Sequence, residues 1–203
     1  MNISASRFRL VKSYPFTVPG DYRHDAQLAT VDRGKFTHGV NHAISDANFA
    51  SATQRLVPGR TYEARIFETL AVVKRKDCLS LYRKEKGILS NAQGLLLVHQ
   101  WNEYKLPAAR RIVSYDQDDA LPGNKGSKGL PGILVDADYG CGFSLLCFED
   151  DLSAGICILV ICELSPLARL CCDYYADRNS GAGHYSAGHC AIDFGKWPFD
   201  KAG

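Results

Sequence analysis

Residues 61–101 read TYEARIFETLAVVKRKDCLSLYRKEKGILSNAQGLLLVHQW, and this stretch decides the fold class. At its start Tyr62, Ala64 and Ile66 alternate with Thr61, Glu63 and Arg65. That period of two places the apolar residues on one face of a β-strand and the polar residues on the other. The period then lengthens. Cys78, Leu81, Tyr82 and Glu85 fall at helical spacing between Lys74 and Lys86, and Gly87 is expected to end that helix. Ser90 or Asn91 can cap a second helix through Leu95, Val98 and Trp101, which must stop before Pro107. A strand and two consecutive helices are therefore expected to open the main domain.

Downstream, Arg111 to Tyr115 reads as a short strand, and Gly123 to Gly129 as an exposed loop. Further β-like runs follow at Ile133 to Val135, Phe143 to Phe148, Ile156 to Cys162 and Cys190 to Phe194. Upstream, Pro15, Pro19-Gly20 and Pro58-Gly59 punctuate short segments at Asp25 to Val31 and Ser45 to Ala50, which read as short helices. The expected class is α+β, with two helices packed on short antiparallel strands. A small N-terminal unit is expected over residues 1–58 and the main domain over residues 59–203.

A chain of 203 residues with 46% hydrophobic and 23% charged content can bury a core of its own. No stretch approaches the roughly 18 apolar residues of a spanning helix, and the first residues lack a signal-peptide core, so no membrane insertion and a cytoplasmic or virion-borne protein are expected. The formal charge of +2 is unevenly spread: residues 1–128 carry 20 basic and 12 acidic side chains, residues 129–203 carry 4 and 10. The basic residues are scattered among acids rather than blocked, so nucleic acid is not an expected partner.

Residues 129–195 contain no Lys, Gln, Met, Trp or Thr, and hold seven of the eight cysteines. Burial depletes Lys and Gln, yet strands favour Thr, so packing alone does not account for this vocabulary. The run GILSNAQGLLLVHQWNEYKLPAARRIVSYDQDDALP, followed by CGFSLLCFEDDLSAGICILVICE, resembles the variable proteins of diversity-generating retroelements, which have a C-type lectin fold. The segment FTVPGDYRHDAQLATVDRGKFTHGVNHAISDANF is similar to one commonly attached upstream in that family. Miscopying of template adenines there yields codons that exclude Lys, Gln, Glu, Met and Trp but allow Thr; the window fits that alphabet apart from its missing Thr, and its only Glu residues are Glu149 and Glu163. The chain departs from the family pattern where Leu152 replaces a usual Trp, and in running about forty residues past Glu163.

The resemblance implies a C-type-lectin-like domain with a variable region about residues 129–195, displayed to a protein or glycan ligand without a cofactor or enzymatic activity. The variable strands could be residues 137–163, residues 171–194 or both. Alternation sets Phe143, Leu145 and Cys147 on one face and Ser144, Leu146 and Phe148 on the other without saying which faces outward. The first set is assigned to the ligand face. Expected contacts are Tyr139, Cys141, Phe143, Leu145, Cys147, Asp150, Asp151, Leu152, Ser153, Ala154, Ile156, Tyr174 and Tyr175, the tyrosines serving as rigid amphipathic anchors.

Other chemistries find weaker footing. Zinc sites favour paired Cys-x2-4-Cys spacing, whereas Cys157 and Cys162 lie five apart and would face opposite ways in one strand. A Cys/His- or zinc-dependent enzyme built on Cys171, His184, His189 and Cys190 is the alternative, and a structural virion component is a third reading. Without an export signal the thiols are expected to stay reduced. Gly123 to Gly129 lacks the order of a phosphate cradle, and Asp116, Asp118 and Asp119 lack calcium-loop spacing.

Overall fold

A computed structural model describes residues 7–49, 54–103, 106–107, 110–116, 129–136, 140–147 and 151–164. Elements follow in the order β1 (Phe8–Thr17), α1 (Asp46–Phe49), β2 (Thr61–Thr69), β3 (Val73–Lys74), α2 (Arg75–Glu85), β4 (Gly87–Ile88), α3 (Asn91–Trp101), β5 (Arg110–Val113), β6 (Gly129–Asp136), β7 (Gly140–Cys147), β8 (Asp151–Leu152) and β9 (Cys157–Glu163). Seven strands make one sheet in the order β1-β2-β9-β5-β6-β7, with β4 also on β9, while β3 and β8 pair separately. All pairs are antiparallel except β5 with β9. The chain thus combines helices with a largely antiparallel sheet.

The run Cys157–Cys162 is apolar on both faces, and β9 lies in the middle of the sheet with both faces covered. Cys157, Leu159 and Ile161 join one core with Tyr62, Ala64 and Ile66 of β2 and Ala92, Leu95, Leu96 and Val98 of α3. Ile158, Val160 and Cys162 join a second core with Phe67 of β2 and Cys78, Leu81 and Tyr82 of α2. The two helices therefore cover opposite faces of the sheet. Gly94 allows α3 its close approach: a Cβ there would lie 1.9 Å from Ser90 Oγ and 3.0 Å from Ile161 Cδ1.

The strand expected from Tyr62, Ala64 and Ile66 and both expected helices form where the pattern placed them. One detail differs. The left-handed residue that ends α2 is Lys86, at φ 54°, and its N–H donates to the Tyr82 and Arg83 carbonyls. Gly87 instead begins β4, where its missing side chain leaves room for Val160 and Tyr82.

The N-terminal expectation is corrected. Residues 8–17 form an edge strand of the main sheet, pairing with β2 from Phe8↔Thr69 to Thr17↔Thr61. Phe16, Val18, Tyr22, Leu28, Phe36, Phe49 and Leu56 are buried in the same core as α3. The expected short helices reduce to 3-10 turns at His24–Ala26 and Leu28–Thr30 and the single turn of α1. Pro15 hid the strand: its missing N–H is tolerated only at an edge. The chain divides into units Met1–Glu163 and Leu164–Gly203, so the boundary falls after β9 rather than near residue 58. The strand expected at Cys190 to Phe194 and most of the glycine loop at Gly123 to Gly129 lie outside the described residues.

Tyr82 ties α2 to the sheet. Its hydroxyl donates to the Leu159 carbonyl and accepts from the Tyr115 N–H at 3.1 Å, and burial raises its pKa so that the phenol stays neutral. Tyr82→Phe removes both of these buried hydrogen bonds and is expected to lower stability by about 1–3 kcal/mol, read as a lower denaturant midpoint at unchanged slope.

Candidate functional site

The expected ligand face centres on β7, whose strand begins Gly140-Cys141-Gly142-Phe143. Residues 37–41 run along its outer edge: the His38 N–H donates to the Cys141 carbonyl at 2.9 Å, Phe143 N–H to Gly39 at 3.1 Å and Asn41 N–H to Phe143 at 2.8 Å. Gly140, at φ 102°, makes this approach feasible, since a Cβ would sit 1.9 Å from Thr37 Oγ1. Phe36 then stacks on Phe143 with centroids 5.8 Å apart and meets His99 of α3 at 5.5 Å.

Cys141 and Phe143 therefore belong to the core, Phe143 being 1% exposed, and their assignment to the ligand face is corrected. The physical reason is that both faces of β7 meet apolar neighbours, a situation alternation cannot resolve. Leu145 is half-buried against the first core, and Leu146, on the opposite face, against the second. Leu152 and Ile156 are also buried, both in the second core. Tyr139, Asp150, Tyr174 and Tyr175, and the side chain of Cys147, lie outside the described residues.

What remains at the surface is the turn after Leu152. Asp151, Ser153, Ala154 and Gly155 are exposed, while Leu152 below them pairs with Val73 and Asp151 with Lys74. Thr69, at the end of β2 and 1% exposed, holds the turn by its backbone. Its hydroxyl lies 2.8 Å from the Ser153 carbonyl and 3.0 Å from that of Ile156, its N–H donates to Ile156 at 2.9 Å, and its carbonyl accepts from Gly155 N–H at 2.8 Å. No side chain of the turn takes part in these bonds.

Sequence reasoning overlooked a buried contact between Cys141 Sγ and His99 Nε2 at 3.4 Å. The glycines flanking Cys141 were its one signal, marking a close backbone approach. Burial pushes the thiol up to about 11 and the imidazole down to about 4, so both are neutral near pH 7. A nucleophilic pair needs the opposite shift of the thiol. Cys157 and Cys162 do face opposite sides, one in each core, and the Cys162 thiol donates to the Glu85 carbonyl at 3.1 Å. Cys78, Cys141, Cys157 and Cys162 are free thiols, and among the described residues no three potential ligands gather into a metal site. Cys171, His184, His189 and Cys190 lie outside the described residues.

No family model, curated protein or solved structure matches this chain.

His99 gives a pH test of this packing. Its folded pKa lies below the ordinary 6.5, so the unfolded chain takes up the proton first as pH falls. The stability present above pH 6.5 is expected to fall between pH 6.5 and about 4, by about 3 kcal/mol from this group. Denaturant titrations across that window should show a shallower fall for His99→Leu.

Proposed function

We propose that this chain is a non-enzymatic binding protein with hypervariable recognition residues on a C-type-lectin-like scaffold of the kind diversified by retroelements. The turn Asp151–Gly155 carries this reading: its backbone is pinned by Thr69 and its base sealed by Leu152, while the side chains at 151, 153 and 154 project outward. Side chains held in this way can be exchanged without repacking either core. The order of elements adds support, since β2 and β9 pair with α2 and α3 between them in sequence, as a lectin-like strand, helix, helix and closing strand would. So does the restricted vocabulary of residues 129–195.

The recognition set among the described residues is accordingly Asp151, Ser153 and Ala154, with half-buried Leu145 nearby in sequence. Short polar and small side chains on a fixed turn suit a protein or glycan surface, and the binding chemistry calls for no cofactor.

Two measurements test the proposal. The gene neighbourhood is expected to hold a reverse transcriptase and a repeat that differs from codons 129–195 chiefly at template adenines; a locus lacking both ends the diversification reading. Asp151→Tyr, Ser153→Tyr and Ala154→Tyr are each expected to change stability by no more than ~0.5 kcal/mol, whereas Leu152→Ala should cost about 2–5 kcal/mol. Comparable losses at all four positions would show that the turn is part of the core's support and not a display site.

A further inference from the structure

Among the described residues six large apolar side chains are exposed, and four of them, Leu10, Val11, Leu70 and Val72, gather at one corner of the sheet. The backbone brings them together. Leu10 pairs with Phe67, Phe8 with Thr69, and the Leu70 N–H donates to the Arg7 carbonyl at 2.9 Å. Leu70 and Val72 are 50% and 60% exposed, on the short loop from β2 to β3.

Charge around this corner is one-sided. Residues 7–12 and 68–77 carry six basic and two acidic side chains. Both acids are engaged, Glu68 with Arg9 and Arg110, and Asp77 with Arg7 at 2.8 Å. Lys74 and Lys76 are exposed and close in sequence to Leu70 and Val72, and Asp151 stands opposite Lys74 in the β3–β8 pair, whereas Lys12 shares the α3 face with Ile66 and lies over the Tyr14 ring.

The chemistry of the corner selects its occupant. A second copy laid against β1 would bring like charges together, and would meet the register break between Leu10 and Lys12 and a residue without an N–H, Pro15. A protein partner is usually anchored by aromatic side chains, whereas the exposed apolar residues at this corner are all aliphatic. An aliphatic loop flanked by lysines suits an anionic lipid interface, where the apolar tips reach the acyl boundary and the ammonium groups stay with phosphates and carboxylates.

We propose that this corner docks the protein on an anionic lipid surface, Leu70 and Val72 entering the interface and Lys74 and Lys76 pairing with headgroups. Docking of this kind is peripheral and needs no spanning segment; no helix among the described residues is long and apolar enough to cross a membrane. The corner adjoins the turn at Ser153 through the β3–β8 pair, but the docking does not rest on ligand binding there.

Co-sedimentation of the full chain with phosphatidylcholine vesicles, with and without a quarter of phosphatidylserine, tests it. Binding is expected only with phosphatidylserine and should weaken as salt is added. Replacing two lysines, Lys74→Gln with Lys76→Gln, should lower the partition coefficient ~30-fold. Leu70→Ser with Val72→Ser should lower it about tenfold at unchanged charge, with an unchanged thermal melt because only exposed side chains differ. Absence of binding at low ionic strength, or full binding by the Leu70→Ser, Val72→Ser variant, overturns the proposal. Self-association in sedimentation equilibrium that this variant abolishes, with no vesicle binding, would overturn it in favour of a second copy.

Discussion

The described residues are arranged around the burial of β9 on both faces. A strand reading Cys-Ile-Leu-Val-Ile-Cys has no polar side to offer water, so it must be flanked by strands and covered above and below. β2 and β5 supply the flanks, α3 and α2 the covers. Because every residue from Cys157 to Cys162 is buried, each neighbouring element is positioned by what it must hide. Tyr82 adds direction to this non-specific demand, since its hydroxyl reaches backbone groups of β9 and of the segment that follows β5.

Burial on both faces also governs where function can sit. The interior of the sheet contains thiols, an imidazole and phenols, but burial holds them neutral, as at Cys141 and His99. At the periphery, loops are attached to the core by backbone hydrogen bonds. The turn at Ser153 is of this kind, and the neighbouring loop at Leu70 is held through Arg7. These two loops differ in chemistry, one small and polar, the other aliphatic with basic neighbours.

How much of this was legible in the residues depended on the kind of signal. Tyr62, Ala64 and Ile66 announced their strand because one face of β2 is apolar and the other carries Glu63 and Arg65, which pair with each other, Arg65 also pairing with Glu85 on α2. The helices were equally plain, their apolar residues recurring at turn spacing. Cys141 and Phe143 were misassigned because β7 has apolar residues on both sides, so alternation had no polar reference. The edge strand at Phe8–Thr17 escaped notice because edge strands carry mixed side chains and tolerate Pro15.

Local pattern by itself determined the order of strand, helix and helix, the buried character of Ile156 to Cys162, and the opposed directions of Cys157 and Cys162. These follow from periodicity, which needs only neighbours in the chain. Tertiary structure alone decided that residues 8–49 join the main sheet and core, that residues 37–41 close over β7, and that among the described residues Asp151, Ser153 and Ala154 are the exposed part of the expected ligand set. Those outcomes depend on contacts between segments about a hundred residues apart, such as Thr37 with Cys141 and Thr69 with Ser153, and no local spacing encodes which distant surface will arrive to cover a given face.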